Sequence, residues 1–151
     1  MCKYEELVQY ADTIGLTVIE KDFKSNAKGL CKGKKIGIRK NMSDTEKACV
    51  LAEEIGHYYT TIGNILDQTN TNHRKQELIA RKWAVNKMLD ITDLFHAAAA
   101  GCDTFFEIAE YLEVTEEFLA EALEFFKKKY GYCHTYENKT IIFCDHGFCI
   151  K

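Results

Sequence analysis

Apolar positions recur at helical spacing from the start of the chain: Tyr4, Leu7, Val8, Ala11 and Ile14 share one face, and Gly15 follows as a C-terminal stop. The pattern then changes to the β-branched run Leu16-Thr17-Val18-Ile19. Gly29-Leu30-Cys31 and Lys35-Ile36-Gly37-Ile38-Arg39 flank a Lys32-Gly33-Lys34 turn, which predicts a small antiparallel sheet of about three strands. Ser43-Asp44-Thr45-Glu46 has the form of a capping box, in which serine and glutamate side chains each satisfy a backbone donor at a helix start. The helix it opens carries Ala48, Leu51, Ala52 and Ile55 on its apolar face. Residues 58–72 become polar and lose their periodicity, so they read as a connecting loop. From about Asn72 a second long helix sets Glu77, Ala80, Trp83, Ala84 and Met88 along one side. Three further helices are predicted over Thr92 to Ala100, Thr104 to Leu112 and Thr115 to Tyr130, and Thr104-x-x-Glu107 is another capping box. Tyr132 to Tyr136 and Thr140 to Cys144 form a terminal hairpin across Glu137-Asn138-Lys139.

With 151 residues, 46% of them apolar, the chain can bury the core of one compact domain, and its 12% aromatic content argues against disorder. No run approaches the roughly 18 apolar residues that cross a bilayer, and Met1 leads directly into an acidic amphipathic segment, so a cytoplasmic protein is expected. The seven cysteines are odd in number and lack framework spacing, which suits a reducing compartment. The net charge of −3 conceals an asymmetry: residues 21–47 hold nine Lys/Arg against three acids, whereas residues 107–124 hold seven acids and no base. Such blocks serve either as solvated faces or as docking surfaces.

The chemistry concentrates in Ala52-Glu53-Glu54-Ile55-Gly56-His57-Tyr58, with Glu77 twenty residues beyond the histidine. Side chains four apart on a helix lie about 5–6 Å apart at Cβ, so Glu53 and His57 are spaced to share one metal ion with Glu54 beside it. A facing helix that brings in Glu77 would supply a third donor, and carboxylate oxygen is an acceptable zinc ligand. The plainer reading is an ordinary surface helix, since glutamate is a strong helix former.

Two segments together resemble the ImmA/IrrE family of metallo-endopeptidases from phages and integrative elements: Cys49-Val50-Leu51-Ala52-Glu53-Glu54-Ile55-Gly56-His57-Tyr58-Tyr59-Thr60 and Arg74-Lys75-Gln76-Glu77-Leu78-Ile79-Ala80-Arg81-Lys82-Trp83-Ala84. The order of elements follows that family up to about Gly131. The resemblance implies an α+β fold: a mostly helical zincin-like peptidase core over residues 1–90 with a small antiparallel sheet, then a helix-turn-helix-like segment and C-terminal hairpin over residues 91–151, packed as one unit with the core. It implies Glu53, His57 and Glu77 as metal ligands, Glu54 as the general base, and zinc (Zn2+) as the cofactor. Glu53 stands where the fuller family motif has histidine. A set with two carboxylates is more negative and suits a harder ion such as Mn2+. The implied partner is a protein substrate, a helix-turn-helix repressor guarding a mobile element, with neither nucleic acid nor membrane bound directly.

His73 is an alternative donor four residues before Glu77, restoring two imidazoles and one carboxylate if Glu53 turns away. His73, Tyr58 and Tyr59 are alternatively hydrogen-bond donors to a developing oxyanion, with aromatic packing the plainer job for the tyrosines. Cys133, His134, Cys144, His146 and Cys149 hold enough sulfur and imidazole for a structural zinc, although no standard spacing is matched and unpaired thiols on strands are the simpler account. The rival class is a non-enzymatic binding module, a winged helix-turn-helix or an antirepressor that only docks. Glu116, Glu117, Glu121 and Glu124 oppose insertion of the last helix into a DNA groove.

Overall fold

The computed structural model describes residues 1–63, 70–145 and 147–151, with the backbone alone at 62, 63 and 70–73. The chain divides into two compact units, Met1–Met88 and Leu89–Lys151. The first contains α1 (Lys3–Thr13), β1 (Thr17–Lys21), β2 (Gly29–Lys32), β3 (Lys35–Arg39), α2 (Asp44–Gly63) and α3 (Asn70–Met88). The second contains α4 (Ile91–Ala99), α5 (Phe105–Leu112), α6 (Glu116–Tyr130), β4 (Cys133–Tyr136), β5 (Lys139–Cys144) and β6 (Gly147–Ile150). The architecture is α+β, with helices outweighing two small sheets.

In the first unit the strand order is β1-β3-β2. β2 and β3 form the expected antiparallel hairpin, whose turn places Gly33 at φ +62°, a left-handed value that favours glycine. β1, however, runs parallel to β3, so the sheet is mixed rather than antiparallel. The physical reason is the use of the two edges of β3. The outer edge of β2 faces α2, and β1 therefore joins the other side of β3, where it points the same way. Ile36 and Ile38 turn inward and are fully buried with Leu51 and Ile55 of α2 and Leu16 before β1. Each such aliphatic side chain contributes about 1.5–3 kcal/mol on burial.

The sequence signals at the start of α2 are met in part: Ser43 Oγ accepts from the Glu46 backbone N–H at 3.2 Å. Its far end differs from expectation. The segment read as loop from Tyr58 continues as helix to Gly63, and α3 already begins at Asn70. Two β-branched residues lie there with their hydroxyls donating back to the preceding turn, Thr60 to the Gly56 carbonyl at 2.8 Å and Thr61 to that of His57 at 2.9 Å. The remainder of the expected loop, residues 64–69, lies outside the described residues.

In the second unit, α4 is capped by Asp90 and α5 by Thr104, each with a reciprocal capping box. Glu113 takes a left-handed conformation, φ 57°, to turn α5 into α6. Phe118, Leu119, Ala122 and Phe126 of α6 are buried, as are Ile141 and Phe143 of β5. The expected terminal hairpin is present as β4 and β5, with a third strand, β6, added antiparallel to β5. The sequence reading missed β6 because four residues after a short turn carry too little alternation to register.

Candidate active site

Helices α2 and α3 meet at a backbone contact. A methyl group at Gly56 would overlap the carbonyl oxygen of Ala80, so only glycine allows this approach. Ala80 and Ala84 present small side chains on the facing side and are fully buried. This contact sets which residues of the two helices meet. His57 follows Gly56, Glu77 lies three residues before Ala80, and the two side chains face each other, with His57 Nε2 3.4 Å from Glu77 Oε1. Arg81, one turn further along α3, lies 4.0 Å from the other oxygen, Glu77 Oε2.

Glu54 is half-buried on the same stretch of α2. Burial pushes its carboxyl above the usual range, the charge of His57 draws it down, Glu77 pushes it up, and the backbone N–H of Cys31 donates to it and draws it down. Glu54 therefore senses both members of the His57–Glu77 pair and is held from the sheet by β2. Register explains the sheet contact. Arg39 N–H donates to the Lys28 carbonyl at 2.8 Å, which leaves Gly29 and Cys31, at alternate positions, with their N–H groups turned to the outer edge. Gly29 is itself close to α2: an added methyl would lie 3.1 Å from Glu54 Cγ and closer still to Val50. Glycine in a strand is a sequence signal for such close approach, and it was available here. The donor from Cys31 left no trace in the sequence, because any residue but proline supplies it.

Distance bears on whether these donors suit a metal ion. An imidazole–carboxylate hydrogen bond runs about 2.7–2.9 Å. Two donors each about 2.0–2.2 Å from one tetrahedral ion lie roughly 3.3–3.6 Å apart, which the 3.4 Å separation matches. His57 and Glu77 stand as an ion pair whose spacing also suits two ligands of one ion. Among the described residues, no three His, Cys, Asp or Glu side chains are gathered into a group that could hold a metal. Glu53, expected as the third donor, is half-buried on α2 and is not gathered with the other two into such a group. His73 lies on α3 with its side chain outside the described residues.

Tyr59 packs against Trp83 and Tyr58, with ring centroids 5.3 and 5.6 Å away, and its hydroxyl shares a 2.6 Å hydrogen bond with that of Tyr10. Burial, then the bond to Tyr10, pushes its phenol up to about 12. Its role in the structure is to tie α1 to the end of α2. In the second unit, Cys133, Cys144 and Cys149 are exposed free thiols, and Cys133 and Cys149 both lie opposite Ile142 in register. His146 falls outside the described residues.

A half-buried carboxylate thus stands beside a histidine–carboxylate pair, carried on two packed helices under a strand. The family model for the IrrE N-terminal-like domain, peptidase M78, matches residues 11–124, and the chain belongs to this family. No curated protein and no solved structure matches the chain. Among the described residues no helix is long and apolar enough to cross a membrane.

Proposed function

We propose that this protein is a metal-dependent endopeptidase of the ImmA/IrrE type that acts, in the cytoplasm, on a helix-turn-helix repressor of a phage or other mobile element. His57 and Glu77 hold the ion, zinc or manganese, and Glu53, which the structure does not gather with them, would complete the set only by turning towards them on metal binding. Glu54 is the general base. The observation that carries this reading is the convergence of Glu54 with the His57–Glu77 pair, 3.4 Å apart across two helices that a glycine contact locks together.

Bound zinc would supply Lewis acidity, lowering the pKa of a water towards about 7 and polarising the scissile carbonyl. The chain's own residues do the rest. Glu54, partly withdrawn from water, takes a proton on its carboxylate and returns it to the departing amine; a base with a raised pKa is better matched to that exchange at neutral pH. The Cys31 N–H fixes the orientation of the Glu54 carboxylate, and Arg81 steadies the second oxygen of Glu77. No nucleophilic side chain is needed.

A second reading, an antirepressor that docks without hydrolysis, is favoured by one observation: residues 107–124 hold seven acids and no base, a charge suited to a repressor's basic surface. Incubating the protein with the repressor encoded beside it separates the two. Endopeptidase action predicts loss of intact repressor with added zinc or manganese and none with excess chelator. Stable binding with the repressor left whole under both conditions supports docking alone.

A further inference from the structure

The two faces of the first unit's sheet do different things. Inward-facing Gly29 and Cys31 meet α2, while the alternate residues of β2, Leu30 and Lys32, turn to the opposite face. On that outer face, register aligns Ile19, Gly37 and Leu30 in one row across all three strands. Ile19 is 45% exposed and Leu30 51% exposed, an apolar row open to water. A second row, Thr17, Lys35 and Lys32, flanks it on one side, and Lys21 and Arg39 flank it on the other. The rows enclose a groove of about 290 Å³ lined by Ile19, Lys21, Leu30, Lys32, Lys35 and Gly37. Phe23 folds against Gly37, with Lys21 Nζ 5.4 Å and Arg39 Cζ 5.9 Å from its ring centroid. The Arg39 guanidinium also donates to the Ala27 carbonyl at 3.0 Å, bracing the connection between β1 and β2. Among the described residues, Lys21, Lys32 and Lys35 enter no ion pair.

Row spacing selects the occupant. The backbone positions of the two cation rows lie four residues apart along β3, roughly 13 Å, and the Lys21 stem leans inward over Gly37, leaving a seat of about one helix diameter, 10–12 Å. Single-stranded nucleic acid calls for one line of cations beside aromatic platforms on which bases stack. Here the cations stand on both sides, and the centre is the aliphatic pair Ile19 and Leu30 with one ring, Phe23, lying over Gly37 rather than a run of stacking platforms. We propose that this groove binds an amphipathic helix of a partner protein whose apolar ridge is flanked on both sides by carboxylates. The ridge would seat on Ile19, Leu30 and the Phe23 ring that covers Gly37, with one line of acids towards Lys32 and Lys35 and the other towards Lys21. This surface lies on the face of β2 opposite Glu54, goes beyond the peptidase reading, and stands or falls without it.

The test uses the full chain and a fluorescently labelled designed helical peptide of about 20 residues, with a leucine ridge flanked by glutamates, followed by anisotropy. Binding is expected to weaken with salt raised from about 50 to 300 mM, and to fall roughly tenfold or more in a Lys32→Glu/Lys35→Glu variant. Leu30→Ser should weaken it roughly fivefold or more, since it removes apolar area from the seat without touching charge. All three positions are exposed, and unchanged melting curves verify folding. Failure of the peptide to bind overturns the proposal. So does binding that ignores Leu30→Ser, which marks a bare polycation, or a thymidine oligonucleotide of equal charge binding more tightly than the peptide.

Discussion

Glu54→Gln is expected to leave the fold and metal affinity nearly unchanged while lowering peptide-bond hydrolysis by roughly 10²–10⁴-fold, the usual contribution of a positioned general base. Glutamine preserves the volume and can still accept the Cys31 N–H through its amide oxygen, but it cannot take a proton. It also relieves the crowding of two acids, because Glu77 pushes the Glu54 carboxyl up. Thermal stability should therefore hold steady or rise slightly. Turnover of a repressor substrate by Glu54→Gln at the parental rate would remove Glu54 from the mechanism. A large fall in melting temperature would instead mark it as a structural group.

Gly56→Ala is the second large effect, and its sign is informative. At an ordinary helix-interior position the change stabilises by up to about 1 kcal/mol, through propensity alone. At Gly56 the new methyl overlaps the backbone carbonyl of Ala80, and a backbone atom cannot swing aside as a side chain can. Overpacking of this kind costs about 1–3 kcal/mol, so a net loss of stability is expected and Gly56→Val should lose more. Because the same contact brings His57 opposite Glu77, metal affinity should fall with stability. Calorimetric melting together with metal titration reads both; a more stable Gly56→Ala protein would mean that the helices are not locked here.

What the sequence revealed, and what it hid, follows from the range of the interactions. The motif helix was readable because Ser43, the apolar face at Ala48, Leu51, Ala52 and Ile55, and Gly56 are all local to it. The second helix was readable for the same reason, and Glu77 came with it. Pairing of β1 with β3 was not readable, since both parallel and antiparallel pairings satisfy the same β-branched runs and the choice depends on which edge α2 covers. The extension of α2 through Tyr58 and Tyr59 was masked by the tyrosines and threonines, which pack against Trp83 or bond back to the helix only after folding. At the site, the meeting of His57 with Glu77 followed from the expected helix pair. Glu53 shows the limit of spacing arguments: four residues from His57 makes a shared ion geometrically available, yet no three-donor group is assembled among the described residues. The hold of β2 on Glu54 needed the sheet itself, because a main-chain donor carries no residue-type signature.

In the proposed site, His57 and Glu77 grip a single ion between α2 and α3. Zinc titration of the metal-free protein by calorimetry tests it most directly, beside His57→Ala and Glu77→Ala. Since loss of even an outer-shell partner costs metal sites about 10–100-fold, removal of either direct ligand should weaken binding by at least roughly 100-fold. About one equivalent should bind the parent protein, as for a single mononuclear site. Zinc bound with the same stoichiometry and affinity by all three proteins would contradict the account.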